Sequence, residues 1–114
     1  MASSNPDTIV LRANSDSPIH LDYILLRKAV LVLRALNHKL RQSMIQLLEE
    51  GKRLTVTEIY VKLRLEQSVA SQHLAILRRA GVVDTYRDGK YIYYTLNVDR
   101  LNELSDLIEK IVNK

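Results

Sequence analysis

Residues 57–96 read TEIYVKLRLEQSVASQHLAILRRAGVVDTYRDGKYIYYTL, and this stretch decides the fold. Its middle part carries apolar residues at helical spacing, which predicts an amphipathic helix from about Gln67 to Ala80. The residues of that apolar stripe are Ala70, Leu74, Leu77 and Ala80. Two β-rich runs then flank Asp88-Gly89, and this combination is a strong short-range signal for a β-hairpin.

Helix signals also lie on either side of this stretch. Thr57 is expected to cap the helix that precedes the amphipathic one. A first helix is expected to begin at Ser17-Pro18, because serine caps well and proline suits the first helical position. In order, the predicted elements are a helix 17–35, a helix 39–50, a strand 54–56, a helix 58–63, a helix 67–80, the hairpin 82–96 and a helix from about 97–99. This order is mainly α with a β-hairpin, and it predicts a winged helix-turn-helix.

The domain organisation follows from length and composition. With 114 residues the chain has the size of one domain. The polar stretch 1–16 is expected to be a flexible N-terminal tail. Residues 17–114 are expected to form the winged-helix domain, flanked by helices that mediate dimerisation.

Composition excludes several classes of protein. The chain has no cysteine, so it cannot form disulfides or thiolate metal sites. It has no apolar run long enough to cross a membrane and no secretory pattern at its start, so we expect no membrane association and a cytoplasmic location. The net charge is +4, and the positive excess lies in the middle of the chain, which indicates a surface that binds a polyanion.

The helix predicted over 67–80 has an outer face that suits base recognition. This face is short, polar and uncharged near the helix start and becomes basic later, whereas a merely solvated face usually carries Glu and Lys. Ser and Gln can donate to and accept from base edges, and arginines can reach phosphates. The residues predicted to contact DNA from this helix are Gln67, Ser68, Ser71, Gln72 and Arg78. At the hairpin tip, Arg87 and Lys90 are placed to contact the phosphate backbone.

The first and last helices carry more apolar residues than one small core needs. Exposed in a monomer, these residues would form a patch of the kind that marks an interaction surface. The residues predicted to form a dimer interface are Leu21, Leu25, Leu101, Leu104, Ile108 and Ile111. A two-fold dimer places two recognition helices one turn of DNA apart, so we expect an imperfect palindromic operator.

Enzymatic and cofactor sites are not indicated. No nucleophile–base pair, phosphate-binding loop or pair of catalytic carboxylates stands out, so we expect no enzyme and no cofactor. The histidines His20, His38 and His73 do not have metal-ligand spacing, and we predict no metal site. His38 is instead a candidate cap for the second helix.

The stretch from Ala35 to Asn97 resembles the ArsR/SmtB family of bacterial winged-helix repressors. The matching pieces are ALNHKLR at 35–41, VTEI at 56–59, QSVASQHL at 67–74, LRRAGVV at 77–83, RDGK at 87–90 and YYTL at 93–96. The resemblance implies that the flanking helices form a dimer, that Ser68, Ser71 and Gln72 face the major groove, and that an inducer releases the DNA.

The sequence departs from this family at three points. Metal-sensing members use cysteines on the helix-turn-helix or histidines on the last helix, and residues 58–62 and the last helix have neither. Glu66 stands where family members usually have a capping serine.

Taken together, the predicted fold, the predicted DNA-contact residues and the resemblance indicate a DNA-binding regulator of transcription, a repressor released by an unknown signal. Two alternatives remain: a winged helix used for protein contacts, and a metal sensor with non-cysteine ligands.

Overall fold

The computed structural model describes residues 6–113. The chain divides into two compact units, Met1–Arg34 and Ala35–Lys114. The first unit begins with an antiparallel hairpin of β1 (Thr8–Leu11) and β2 (Ile19–Asp22). Helix α1 (Tyr23–Leu36) follows β2 directly. The Asp22 carboxylate accepts the N–H groups of Ile24 and Leu25, at 2.9 and 3.2 Å, and so caps the first turn.

This unit corrects the helix predicted to begin at Ser17-Pro18. Ile19 and Leu21 alternate with His20 and Asp22, and this two-residue period pairs the segment with Thr8–Leu11 as a strand. The helix therefore begins at Tyr23, capped by Asp22 rather than by Ser17. The stretch 1–16, predicted as a tail, contains strand β1, and its first five residues lie outside the described part of the chain.

The second unit has the predicted order of elements. They are α2 (Lys39–Gly51), β3 (Leu54–Thr55), α3 (Val56–Leu63), α4 (Gln67–Arg79), β4 (Val83–Asp88), β5 (Tyr91–Leu96) and α5 (Val98–Val112). The three strands form one antiparallel sheet in the order β3-β5-β4. Helices α3 and α4 with the β4–β5 hairpin have the connectivity of a winged helix-turn-helix.

Side chains cap the helices of this unit. His38 Nδ1 accepts the N–H of Leu40 at 3.2 Å, as expected for a cap of α2. Helix α3 is capped by Thr55 in a capping box with Glu58, so the prediction that Thr57 caps it is wrong. Glu66 precedes α4 without a side-chain cap, in agreement with the sequence.

The end of α4 is fixed by a Schellman motif. The N–H of Val82 bonds the carbonyl of Leu77 at 3.1 Å, and the N–H of Gly81 bonds that of Arg78 at 3.0 Å. Gly81 has φ +80°, a conformation that glycine adopts without steric cost. The chain therefore turns sharply from α4 into β4.

The core of the second unit lies among α2, α3, α4 and the start of β4. Its fully buried large side chains are Met44, Leu48, Ile59, Leu74, Leu77, Val82 and Val83. The four residues of the predicted α4 stripe are all buried, which confirms the orientation inferred from their spacing. In the described part of the chain, no helix has the length and apolar character needed to cross a membrane.

Candidate nucleic-acid interface

Helix α4 presents a sharp division between its two faces. Ala70, Leu74 and Leu77 are completely buried, which fixes the rotation of the helix about its axis. The residues predicted to contact DNA from α4, namely Gln67, Ser68, Ser71, Gln72 and Arg78, are all exposed. Short outer side chains allow a helix to approach base edges closely, because nothing bulky holds it away from the groove.

A groove runs along α4 beside strand β5. Its volume is about 420 Å³, and its lining residues are Ser71, Leu74, Ala75, Arg78, Arg79 and Tyr94. Both arginines are exposed at the C-terminal end of α4. The sequence prediction named Arg78 for DNA contact but not Arg79 or Tyr94. The basic end of α4 itself signals Arg79, whereas Tyr94 is brought to α4 only by the fold.

The β4–β5 hairpin ends in a two-residue turn, because Asp88 pairs with Tyr91 and leaves Gly89 and Lys90 as the central residues. Only the first of these has a positive φ, +64°. This is the pattern of a type II′ turn, which has glycine at its first central position. Asp88-Gly89 is therefore the correct hairpin signal, although Asp88 belongs to the strand rather than to the turn.

The two wing cations lie on different sides of the hairpin tip. Arg87 pairs with Ile92 and so shares a face with Tyr94, which lines the α4 groove. Lys90 extends over the ring of Tyr91, with Nζ 5.3 Å from the ring centroid, and Tyr91 belongs to the opposite face. Both cations are exposed, so each can reach a phosphate, but they do not form one patch.

The face of the hairpin opposite to Arg87 is held by Arg53, which the sequence analysis did not single out. Arg53 Nη1 donates to the Tyr86 hydroxyl at 2.9 Å and to Asp88 Oδ2 at 3.1 Å. Its guanidinium carbon lies 4.1 Å from the centroid of the Tyr93 ring. These two hydrogen bonds, of which the one to Tyr86 has the larger effect, raise the pKa of Arg53 above its ordinary value.

Beneath the outer face of α4, His73 joins the helix to the start of α2. Arg41 is almost completely buried, and its Nε donates to the carbonyl of Ala35 at 2.7 Å. Its Nη1 lies 3.1 Å from His73 Nδ1. Because arginine only donates, Nδ1 is the acceptor and the proton of neutral His73 is on Nε2. The His38 and His73 rings contact each other, with centroids 4.8 Å apart.

We predict that His73 makes the protein less stable at mildly acidic pH. Burial, then the charges of His38 and Arg41, lowers the pKa of His73 below its ordinary value of 6.5. The unfolded chain therefore binds the proton more readily, and stability rises with pH. This contribution is complete above about pH 6.5 and is lost as the pH falls through the lowered pKa.

Urea unfolding between pH 5 and 7.5 measures this effect. His73→Asn retains an acceptor near the position of Nδ1 but does not titrate, so the loss of unfolding free energy on acidification should be smaller than in the wild type. His20→Asn, in strand β2, is the control and should leave the loss unchanged. An identical pH dependence in His73→Asn and the wild type would contradict the prediction.

Comparison with known proteins agrees with this arrangement. A family model described as "Bacterial regulatory protein, arsR family" matches residues 38–85. The transcriptional activator HlyU of Vibrio cholerae serotype O1 is 34% identical over 84 residues, which are 74% of this chain and 77% of that protein. The chain belongs to the arsR family of bacterial regulatory proteins.

Other members of the arsR family are similarly close. The transcriptional repressor PagR of Bacillus anthracis is 32% identical over 91 residues, covering 80% of this chain and 91% of that protein. The crystal structure of PagR matches with a TM-score of 0.60 and 32% identity, over 76% of this chain and 99% of that chain. Like them, this protein is a DNA-binding regulator of transcription with a winged helix-turn-helix and is not an enzyme.

The alternative of a metal sensor requires a cluster of side chains that can bind a metal ion. Between residues 6 and 113, no group of three or more His, Cys, Asp or Glu residues is close enough to hold a metal ion. Asp106 and Glu109 lie together on α5 with Lys110 and Asn113, but two carboxylates beside a lysine are not a metal site.

The residues predicted for a dimer interface fall into three groups. Leu21, Leu25, Ile108 and Ile111 are 45%, 61%, 38% and 59% exposed in the single chain. Leu101 is half-buried. Leu104 is only 5% exposed, so it packs inside its own chain and does not offer the surface predicted for it. The stripe on α5 nevertheless continues past Leu104, one and two turns later, with Ile108 and Ile111.

Leu21 lies in strand β2 rather than in a helix. The register of the β1–β2 hairpin gives it a face made only of apolar side chains, which are Ile9, Leu11, Ile19 and Leu21. All four are exposed. Apolar surface before α1 is therefore more extensive than the sequence analysis identified.

Proposed function

We propose that this arsR-family regulator is a repressor that binds double-stranded DNA as a homodimer, and that an unknown signal releases it. Its operator is an imperfect palindrome with one half-site for each subunit. The protein acts in the cytoplasm and is associated with the nucleoid while it is bound to DNA.

The outer face of α4 carries this proposal. Its inner residues are completely buried, so the helix presents Gln67, Ser68, Ser71 and Gln72 outward without freedom to rotate. Of these, Gln72 has the side chain best suited to a bidentate contact, typically with adenine. The exposed cations Arg78, Arg87 and Lys90 contact phosphates on either side and set the position of the helix.

Repression rather than activation is supported by the names of the relatives. PagR of Bacillus anthracis and SdpR of Bacillus subtilis are named transcriptional repressors. A relative from Agrobacterium fabrum is named a biofilm growth-associated repressor. HlyU is named an activator, so the same scaffold serves both outcomes. A repressor needs only to occupy its operator, and α4 and the wing are the surfaces with which each subunit would contact it.

The homodimer is supported by the apolar surface that one chain leaves exposed. Leu25, Ile108 and Ile111 are each large, apolar and more than a third exposed. Among residues 6–34 the side chains are exposed or at most half-buried. A second copy of the chain covers such surfaces in a symmetric way, and two-fold symmetry then matches the symmetry of a palindrome.

Replacing Gln72 by Ala tests base reading directly. The variant should lose about 1–3 kcal/mol of binding free energy on the operator and little on random DNA, because one base contact is removed and no charge changes. Gel mobility shifts with DNA from upstream of the protein's own gene and with a random duplex of equal length measure both affinities.

Gln46→Ala is a suitable control, because Gln46 is an exposed glutamine on α2, where it bonds only Glu50 among the contacts described. It should bind both duplexes like the wild type. Equal losses on both duplexes for Gln72→Ala would show that Gln72 does not read a base. The absence of any preference for the upstream DNA in the wild type would contradict the proposed function itself.

A further inference from the structure

The wing carries an acidic residue at a position where a carboxylate should weaken DNA binding. Asp88 lies between Arg87 and the turn residues Gly89 and Lys90. A phosphate that binds Arg87 or Lys90 is therefore also close to this carboxylate, because Asp88 is next to Arg87 and two residues from Lys90. At physiological salt, charges separated by less than about 8 Å still interact, so an unpaired Asp88 would cancel part of the attraction of the tip.

Arg53 neutralises the charge of Asp88 by forming an ion pair with it. Its Nη1 is 3.1 Å from Asp88 Oδ2. The same nitrogen donates to the Tyr86 hydroxyl, and the guanidinium lies over the Tyr93 ring, so three partners on one face fix its position. Residues Leu54 and Thr55, directly after Arg53, pair with β5, which holds the backbone of Arg53 beside the hairpin.

The two faces of the wing thus have different contacts. Asp88, Tyr86 and Tyr93 alternate onto the face that meets Arg53, whereas Arg87 is on the other face with Tyr94. Strand alternation thus places the Asp88 carboxylate on the face opposite to Tyr94, which lines the α4 groove. Arg87 and Lys90 then act as two cations without a neighbouring unpaired anion.

We propose that Arg53 is a positioning residue for DNA binding: it holds and neutralises the Asp88 carboxylate, so that the tip of the wing presents the two positive charges of Arg87 and Lys90 to the phosphate backbone without subtraction of a neighbouring negative charge. This inference rests on the proposed contact between the wing and DNA. Arg53 and its partner Asp88 are 35 positions apart in the sequence.

The experiment compares four variants on a random duplex by fluorescence anisotropy at fixed salt, with the thermal midpoint of each measured alongside. Arg53→Gln leaves Asp88 unpaired and should weaken binding roughly threefold to tenfold. Adding Asp88→Asn to Arg53→Gln removes the exposed carboxylate and should restore most of the affinity. Arg53→Lys keeps the positive charge and should bind almost like the wild type.

Lys52→Gln is the matched control, because it removes an exposed cation that pairs with Glu49 on α2 and, among the contacts described, does not touch the hairpin, and it should leave affinity almost unchanged. Restoration by Asp88→Asn distinguishes charge neutralisation from a structural role, since the second substitution does not rebuild the contacts of Arg53. Wild-type affinity in Arg53→Gln would overturn the inference, as would a loss that Asp88→Asn does not restore.

Failure of the underlying wing contact gives a different result. If Arg87→Ala and Lys90→Ala do not weaken binding, the wing does not contact DNA, and the inference falls together with that part of the proposed function. If those two variants weaken binding but Arg53→Gln does not, the wing contact stands and only the role of Arg53 is rejected.

Discussion

Replacing Ile108 and Ile111 by glutamate is expected to convert the proposed dimer into a monomer and to lower operator affinity by roughly a hundredfold or more. Both side chains are exposed in the single chain, at 38% and 59%, so the substitutions leave the core of the monomer intact. Buried in an interface, two glutamates in each subunit would be unpaired charges, which such surfaces do not tolerate. Leu104, at 5% exposure, is unsuitable because its replacement would unfold the chain.

The affinity loss is large because the two half-sites act together. Two recognition helices on one rigid dimer bind with a high effective concentration for the second contact, and a monomer has lost this advantage. Analytical ultracentrifugation at micromolar concentration measures the oligomeric state, and footprinting measures occupancy of each half-site. Val61→Glu, at an equally exposed apolar residue of α3, is the control and should remain dimeric.

A wild-type protein that sediments as a monomer would refute the premise. Tight protection of a single half-site by the glutamate double variant would show that the dimer is not required for specific binding. In both cases the expectation of a palindromic operator would lose its basis.

Replacing both wing cations, Arg87 and Lys90, by Ala is expected to weaken binding to all DNA sequences by roughly tenfold to a hundredfold at physiological salt. The reason is counterion release: each phosphate neutralised by the protein frees condensed cations. The slope of log affinity against log salt should become shallower by roughly one to two units per wing. Because the two cations lie on different sides of the tip, each single variant should account for part of the change.

Titrations of operator and random DNA between 50 and 250 mM salt give this slope. The control replaces Lys39 and Lys52, exposed cations at the two ends of α2, so that the net charge falls equally without a change in the wing. An unchanged slope in the wing variant would remove the wing from the interface. A loss confined to the operator would show instead that the wing reads sequence.

The helix-turn-helix and wing could be predicted because their signals are local. In α4, apolar residues recur every three to four positions, and this period alone fixes which residues are buried. Gly81 and Gly89 mark the two sharp turns, because both have a positive φ that other residues adopt only at a cost. The burial pattern of α4 and the positions of both turns therefore follow from sequence.

Other features could not be predicted because they depend on distant partners. Arg53 is 33 residues from Tyr86 and 35 from Asp88, and no local pattern links them. Leu104 and Ile108 belong to one helical stripe, and spacing does not reveal which residue is covered by its own chain. Helix α1 begins later than predicted: Ser17-Pro18 is a good local helix signal, but pairing with β1 holds Ile19–Asp22 in a strand.

The absence of buried side chains between residues 6 and 34 has a consequence for how the amount of protein affects its activity. Ordering a backbone costs about 1–2 kcal/mol per residue, and a segment whose side chains are at most half-buried offsets less of this cost than a segment with a buried interior. In the proposed dimer, association supplies the offset, so the ordered fraction of this segment follows protein concentration by mass action. A cell that doubles its supply of the regulator would thus gain more than twice the assembled form at low abundance, and expression level becomes a steep control on promoter occupancy.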